Sequence, residues 1–223
     1  MDVMSVLRRV ICFPLWLAML SAQPPPEIVA LTPAPDTFHP VFRESPAKHT
    51  STWHEGCPVP PSDLREVEVS YWDFGALPRT GVLVVHRALS AEVLHIFKEL
   101  FHHGFLIQRM DPVDTFSGDD DRSMEANNTS AFNCRDTTGR PGVFSNHSWG
   151  RAIDINPLTN PYIKGDKVLP PAGEAFLDRT HATPGAILAG SFIVNLFQKR
   201  GWTWGGSWKD RQDYQHFEKP DRR

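Results

Sequence analysis

Alternation of apolar and polar residues marks the start of a folded domain near Asp63. Val67, Val69 and Tyr71 alternate with charged or polar residues, which is the period-2 pattern of a half-buried strand. An apolar run over residues 81–86 predicts a second and more buried strand. The domain therefore begins with two predicted strands.

Two later segments carry apolar residues at helical spacing. The first predicted helix has Ser90 as its N-cap and Gly104 as its C′ residue, and a strand over residues 105–110 follows it. The second predicted helix runs from about residue 186 to residue 200. The predicted inward positions are Val93, Leu94, Phe97, Leu100 and Phe101 in the first helix, and Ile187, Leu188, Phe192, Leu196 and Phe197 in the second.

A polar and irregular segment, residues 111–146, separates these two groups of elements. The order is then strands, helix, strands, helix and a last strand. This order predicts an α+β domain, in which the helices pack on a small antiparallel sheet.

Residues 1–22 have the layout of a secretory signal peptide. Arg8 and Arg9 precede an apolar run over residues 11–20, and small residues follow it. The apolar run is shorter than the about 20 residues that span a bilayer. We therefore expect export with cleavage, a secreted or cell-envelope location and no stable membrane insertion afterwards; retention as an N-terminal anchor is the alternative.

Residues 23–61 are rich in proline and poor in periodic apolar positions. Such a composition favours extended, polyproline-like conformations, so we predict a semi-rigid linker there and a folded domain over residues 62–223. Cys57 and Cys134 remain after loss of the signal. An even pair of cysteines in an oxidising compartment favours one disulfide, and two free thiols are the alternative.

Composition and charge exclude several classes of protein. The chain of 223 residues is 40% hydrophobic and 22% charged, which is typical of a globular protein. Its formal net charge is −3. Loss of Arg8, Arg9 and Asp2 with the signal makes the balance −4. Nucleic-acid-binding domains are usually basic, so no nucleic-acid partner is expected.

The candidate chemistry lies in two short stretches. The first is Ser-Asn-His-Ser-Trp-Gly-Arg-Ala-Ile-Asp-Ile-Asn over residues 145–156, and the second is Asp-Tyr-Gln-His-Phe-Glu over residues 213–218. Two imidazoles and a carboxylate form the ligand set of a catalytic zinc ion. His147 and Asp154 are seven residues apart, an odd spacing that would put them on opposite faces of a straight strand. We therefore expect a bend or bulge at Gly150.

Together the two stretches resemble the peptidase M15 family, in particular the branch that contains phage-type L-alanyl-D-glutamate endopeptidases and VanY-like D-alanyl-D-alanine carboxypeptidases. The resemblance implies a fold like that of the Hedgehog and D,D-peptidase zinc domains. It implies one Zn²⁺ held by His147, Asp154 and His216, with Asp213 as the catalytic carboxylate. The implied substrate is the stem peptide of peptidoglycan, and we expect the protein to act as a monomer.

The substrate-binding arginine of the family is harder to place. Arg135 is the first candidate and Arg122 the second, and an arginine without a role is a further alternative. Ser145 either forms a hydrogen bond to substrate or to metal-bound water, or is a turn residue. Three tryptophans, Trp202, Trp204 and Trp208, either line a substrate groove or form a core under the last strand.

The sequence thus predicts a secreted zinc metallopeptidase that cleaves either the L-Ala-D-Glu or the D-Ala-D-Ala bond. Aspartate at position 213 resembles the endopeptidase branch, since the carboxypeptidases often have glutamate there. The alternative from another class is a non-catalytic zinc-bearing domain for wall binding or signalling. Asp213 argues against it, because a degenerate site has no reason to keep the base. The sequence also argues against a serine hydrolase, because it contains no Gly-x-Ser-x-Gly nucleophile elbow.

Overall fold

The computed structural model describes residues 38–180 and 183–219. The predicted signal peptide and residues 23–37 of the predicted linker lie outside the described residues. Within the two described ranges, no helix has the length and apolar character that crossing a membrane requires.

Short strands and a few helices make up the described part of the chain. The strands are β1 (Phe42–Pro46), β2 (Leu64–Trp72), β3 (Pro78–His86), β4 (Arg109–Met110), β5 (Asn128–Thr129), β6 (Asp136–Thr137), β7 (Arg140–Phe144), β8 (Ala152–Asp154), β9 (Tyr162–Lys164), β10 (Lys167–Leu169), β11 (Thr203–Trp204), β12 (Gln212–Asp213) and β13 (His216–Glu218). The α-helices are α1 (Ser90–His103), α2 (Asp120–Glu125) and α3 (Phe192–Gln198). The sheets are small and, apart from the β4–β5 pair, antiparallel. The predicted mixture of helices and small antiparallel sheets is confirmed, while the closer likeness to the Hedgehog zinc domain stays a prediction.

The first sheet and helix α1 form the base of the fold. Strands β1, β2 and β3 are antiparallel in that order, and α1 packs against β2. The alternating Val67 and Val69 are fully buried and belong to one core cluster with Phe97 and Leu100 of α1. Both predicted strands and the first predicted helix are therefore confirmed. The predicted N-cap is wrong by one position, because Leu89 takes that place and the Ser90 hydroxyl donates to the carbonyl oxygen of Arg87 (2.9 Å).

The folded unit begins earlier than residue 62, so the predicted linker of residues 23–61 is too long. β1 lies within that range and pairs with β2, with Phe42 opposite Val69. The Glu66 carboxylate on β2 accepts a hydrogen bond from the backbone N–H of His49 (2.9 Å), which ties down the segment after β1. Proline does not prevent this pairing, because β1 is an edge strand with its proline at the last position.

A disulfide fastens the same N-terminal segment to the region before the candidate site. Cys57 and Cys134 are bonded, with a Cα–Cα distance of 6.1 Å and a sequence separation of 77. Cys134 is buried in a cluster with Val59 and Phe132. The predicted disulfide is therefore confirmed.

Loss of this disulfide should destabilise the domain by about 4 kcal/mol of unfolding free energy, because a cross-link of this span restricts the unfolded chain. We expect this loss for the double variant Cys57→Ser, Cys134→Ser in denaturant titrations of zinc-free protein. A reducing agent should bring the wild type down to the variant and leave the variant unchanged. Two alkylatable thiols in natively exported, unreduced protein would contradict the prediction.

The segment between the two predicted helices is more ordered than its polarity suggests. Of the strand predicted over residues 105–110, only the two residues of β4 are in a strand. The residues before β4 run beside the end of β2, where the N–H of Ile107 donates to the carbonyl oxygen of Trp72 (2.8 Å). Residues 111–146 were predicted to be irregular, but they contain α2 and the short strands β5, β6 and β7. Asp119 caps α2 by accepting a hydrogen bond from the N–H of Arg122 (3.0 Å).

The second predicted helix is shorter than its apolar pattern. Helix α3 begins at Phe192, not near residue 186, because the chain turns just before it and the N–H of Ser191 donates to the carbonyl oxygen of Leu188 (3.0 Å). Ile187 is still fully buried, but from this turn. Phe192 was predicted to face inward and is 38% exposed, stacked on the ring of His103.

Candidate metal centre

The first histidine is presented by a single tight turn. Residues Asn146–Trp149 form a 3-10 helix whose N-cap is Ser145, and the Ser145 hydroxyl oxygen accepts a hydrogen bond from the N–H of His147 (3.3 Å). Gly150 ends the turn with φ 63°, and a Cβ atom there would lie 2.6 Å from the backbone nitrogen of His86. The bend expected at Gly150 is therefore confirmed. It separates the turn that carries His147 from the strand that carries Asp154.

The other two candidate ligands face each other across a pair of strands. β8 and β13 are antiparallel, and their register places Asp154 directly opposite His216. The Nδ1 atom of His216 lies 2.9 Å from Asp154 Oδ1, and the Nε2 atom of His147 lies 3.0 Å from Asp154 Oδ2. The two nitrogens are 3.2 Å apart. Three side chains from three elements thus converge on one point, and all three are buried.

Burial and close contact shift the ionisation of these groups. Burial alone would raise the pKa of Asp154, but the charge and hydrogen bonds of His147 and His216 hold that pKa well below its usual range. Burial would lower the pKa of His216, yet hydrogen bonds to Asp154 and Glu218 raise it to about 10. Positive charge on the two histidines thus stabilises the Asp154 carboxylate. A bound metal cation can supply that positive charge in place of the proton on a histidine.

The geometry and the donor atoms both suit a metal ion. The candidate ligand atoms of His147, Asp154 and His216 all lie within 4.8 Å of one another, so this group could hold a metal. Two imidazole nitrogens and a carboxylate oxygen match the three-ligand zinc sites that keep one position open. A second group with such spacing within the described ranges, His54 with Cys57 and Cys134, has both of its sulfur atoms in the disulfide.

Asp213 lies in the same cleft and on a different strand. It is in β12, opposite Tyr162 of β9, and its Oδ1 atom is buried without a hydrogen-bond partner among the described residues. Burial raises the pKa of the Asp213 carboxyl group to about 6 against the attraction of His216. Gly205 permits this packing, since a Cβ atom there would lie 2.7 Å from the Asp213 carbonyl oxygen and 3.3 Å from His216 Cβ.

A cleft of about 670 Å³ joins these groups to the surface. Its lining includes the three candidate ligands, Asp213, Arg135, Ser145 and Trp208. Arg135 forms an ion pair with Asp120 (Nε–Oδ2 3.0 Å), whereas Arg122 is exposed on α2 and does not line the cleft. Of the two arginine candidates, the structure thus brings only Arg135 to the site.

The three tryptophans divide between core and cleft. Trp202 and Trp204 are buried in the main core cluster, so the core interpretation holds for them. Trp208 lines the cleft with its ring centroid 5.4 Å from that of His216, and the guanidinium of Arg211 stacks over it at 4.2 Å. Trp208 is therefore available to contact a bound molecule.

Glu218 belongs to the second motif but is not among the candidate site residues that the sequence predicts. Its Oε2 atom lies 3.1 Å from Nε2 of His216 and 2.6 Å from Nδ2 of Asn146. Positions 216 and 218 lie on the same face of a strand, because side chains alternate with period 2. That spacing was the signal that could have identified Glu218 as a neighbour of the candidate ligand.

Comparison with known proteins points to the segment that contains the candidate metal centre. Residues 138–219 match a family model of M15 peptidases described as D-alanyl-D-alanine carboxypeptidase. This match supports an M15 peptidase assignment for this part of the chain. The M15 segment contains His147, Asp154, His216 and Asp213, and it begins just after Arg135. The comparisons with curated proteins and with solved structures gave no significant match. The match bears out the family resemblance seen in the two motifs and supports a peptidase.

Proposed function

We propose that this protein is an exported zinc peptidase that hydrolyses a peptide bond in peptidoglycan stem peptides. One observation carries the proposal: the buried convergence of His147, Asp154 and His216 in a cleft that Asp213 also lines. The M15 match to the same segment supports the reaction class and the substrate class. The signal-like sequence of residues 1–22 and the disulfide support export, and we propose that the protein acts as a monomer.

His147, Asp154 and His216 would hold one Zn²⁺ ion. When bound, such an ion polarises the scissile carbonyl group and makes water a nucleophile at neutral pH. The three side chains line the cleft, through which a peptide can reach them.

Asp213 would act as the general base and then as the general acid. Its carboxylate accepts a proton from the attacking water, and the same proton passes to the leaving amine nitrogen when the C–N bond breaks. The products are a carboxylic acid and an amine, with no covalent enzyme intermediate. The half-buried position of Asp213 suits this exchange, because desolvation raises the pKa of its carboxyl group to about 6 and eases return of the proton.

Arg135 and Trp208 would position the substrate. The guanidinium of Arg135 is oriented by Asp120 and can donate to a substrate carbonyl or carboxylate oxygen. Trp208 offers a flat apolar wall beside His216. Ser145 serves the turn as its N-cap, so we assign it no substrate contact.

Two bonds are candidates for cleavage. The description of the matched family model favours the terminal D-Ala-D-Ala bond, whereas aspartate at position 213 resembles the L-Ala-D-Glu endopeptidases. The two reactions release different products, so the choice is experimental.

Zinc-loaded protein should therefore convert purified muropeptides into products of one defined type. Mass spectrometry will show free D-alanine for cleavage at D-Ala-D-Ala, or a new N-terminal D-glutamate for cleavage at L-Ala-D-Glu. Digests with chelator-treated protein are the control and should contain intact muropeptides. Intact muropeptides that are recovered bound to the zinc-loaded protein would instead favour the non-catalytic binding domain.

A further inference from the structure

The two histidines of the candidate metal centre have different hydrogen-bond partners on their outer nitrogens. Nδ1 of His147 lies 2.6 Å from the carbonyl oxygen of Ala131. A carbonyl oxygen only accepts, so Nδ1 of His147 carries the hydrogen and Nε2 is left with its lone pair. That Nε2 atom is the one that faces Asp154 and His216.

In His216 the two ring nitrogens have exchanged roles. Its Nε2 atom faces Oε2 of Glu218 (3.1 Å), and its Nδ1 atom faces Asp154 and His147. The acceptor is a side chain from the same strand, two residues further on. A carboxylate oxygen accepts the hydrogen from Nε2, which leaves the lone pair of neutral His216 on Nδ1.

Glu218 also connects the two histidine-bearing elements. The side-chain amide of Asn146 donates to the same Oε2 atom at 2.6 Å. Asn146 belongs to the turn that carries His147, while Glu218 belongs to β13. One carboxylate therefore holds the turn and the strand together directly beside the candidate metal centre.

We propose that Glu218 is a positioning residue that makes Nδ1 of His216 the metal-binding nitrogen and keeps its ring in the ligating orientation. This inference rests on the proposed zinc site. A histidine ring can turn about χ2, and each nitrogen can carry the hydrogen, so an unsupported ring has several states of which one ligates. His216 is buried, so little solvent is available to replace a lost acceptor. The hydrogen bond to Glu218 excludes the other ring orientations and the other tautomer of His216 before the metal binds.

Zinc affinity measured against a competing chromophoric chelator tests the proposal. Glu218→Ala should weaken zinc binding by about 10–100-fold, the usual effect of losing a hydrogen-bond partner behind a histidine ligand. Glu218→Gln keeps an oxygen that accepts from Nε2, so its affinity should lie closer to wild type than to Glu218→Ala. Glu125→Ala, a change at an exposed carboxylate on α2, is the matched control and should bind zinc as the wild type does.

A second readout follows the ring itself. Long-range ¹H–¹⁵N spectra of the zinc-loaded domain should show the His216 hydrogen on Nε2 in the wild type and in Glu218→Gln. Glu218→Ala should show a mixed or exchanging ring. A purely structural role would leave this spectrum unchanged and would lower the unfolding midpoint of the zinc-free domain instead.

The outcomes separate this proposal from the proposed function. Wild-type protein that binds no zinc would overturn both. Wild-type protein that binds zinc, together with Glu218→Ala of equal affinity, would overturn the role of Glu218 alone. Equal losses for the alanine and glutamine variants would also overturn it, because they would point to the charge of Glu218 and not to its hydrogen bond.

Discussion

Asp213→Asn should lower turnover by about 10²–10⁴-fold while the protein keeps its fold and its zinc. An amide cannot accept a proton from water or return it to the leaving amine, and a general acid–base group contributes about this much to a rate. Asp213 lies outside the three-residue cluster that could hold the metal, and its Oδ1 atom has no hydrogen-bond partner among the described residues. The substitution should therefore remove the proposed base and none of the proposed ligands. Turnover of a muropeptide and zinc content should be measured on the same sample.

Two further variants sharpen this test. Asp213→Glu should retain part of the activity, since the carboxylate survives with one more methylene group. Asp210→Asn is the matched control, because Asp210 lines the same cleft with a side chain that is 67% exposed. It should turn over substrate at about the wild-type rate.

The competing interpretation makes Asp213 a residue that only orients His216. Asp213→Asn would then weaken zinc binding by about 10–100-fold, and excess zinc would restore the rate. Recovery to a near wild-type rate at saturating zinc would show that Asp213 is not the base.

His147→Ala and His216→Ala should each abolish both zinc retention and hydrolysis. Each change removes one of the three proposed ligands and deprives the Asp154 carboxylate of a partner that holds its pKa low. We expect about one zinc per wild-type chain and none retained by either variant after dialysis, with metal content measured by atomic emission. The loss of turnover should be at least as large as that of Asp213→Asn.

A buried histidine can matter for folding as well, so the wild type supplies an independent test. A chelator should abolish hydrolysis, and added zinc should restore it. His95→Ala is the matched control, because the His95 side chain is 55% exposed on α1 and does not line the cleft. Full activity of a metal-free preparation would contradict the zinc mechanism.

Local patterns were sufficient for the elements that the sequence predicted well. The alternation at Val67 and Val69 marks β2, and helix α1 ends at Gly104 as expected. In both cases the pattern lies within one element, and β2 and α1 pack against each other. The predicted start of the second helix was wrong, because residues 187 and 188 have helical spacing but belong to a turn before α3. Spacing reports which positions are apolar, and the tertiary contacts decide which backbone buries them.

In the predicted linker, too, local composition did not reveal the tertiary contacts. Proline content predicted an extended chain over residues 23–61, and β1 is indeed extended. Whether an extended segment stays in solvent or joins a sheet depends on a free strand edge, and β2 provides one. A composition argument contains no information about that edge.

By itself, the sequence determined the two motifs, and with them the family resemblance, the candidate ligand residues and the need for a bend at Gly150. These features depend on residue identity and on short spacing, which the chain carries locally. Only the tertiary structure decided that Asp154 lies opposite His216, which is 62 residues away, that Arg135 and not Arg122 lines the cleft, and that Glu218 lies within hydrogen-bond distance of His216. Strand register and burial produce these contacts, and both arise from pairings between distant segments that no local pattern records.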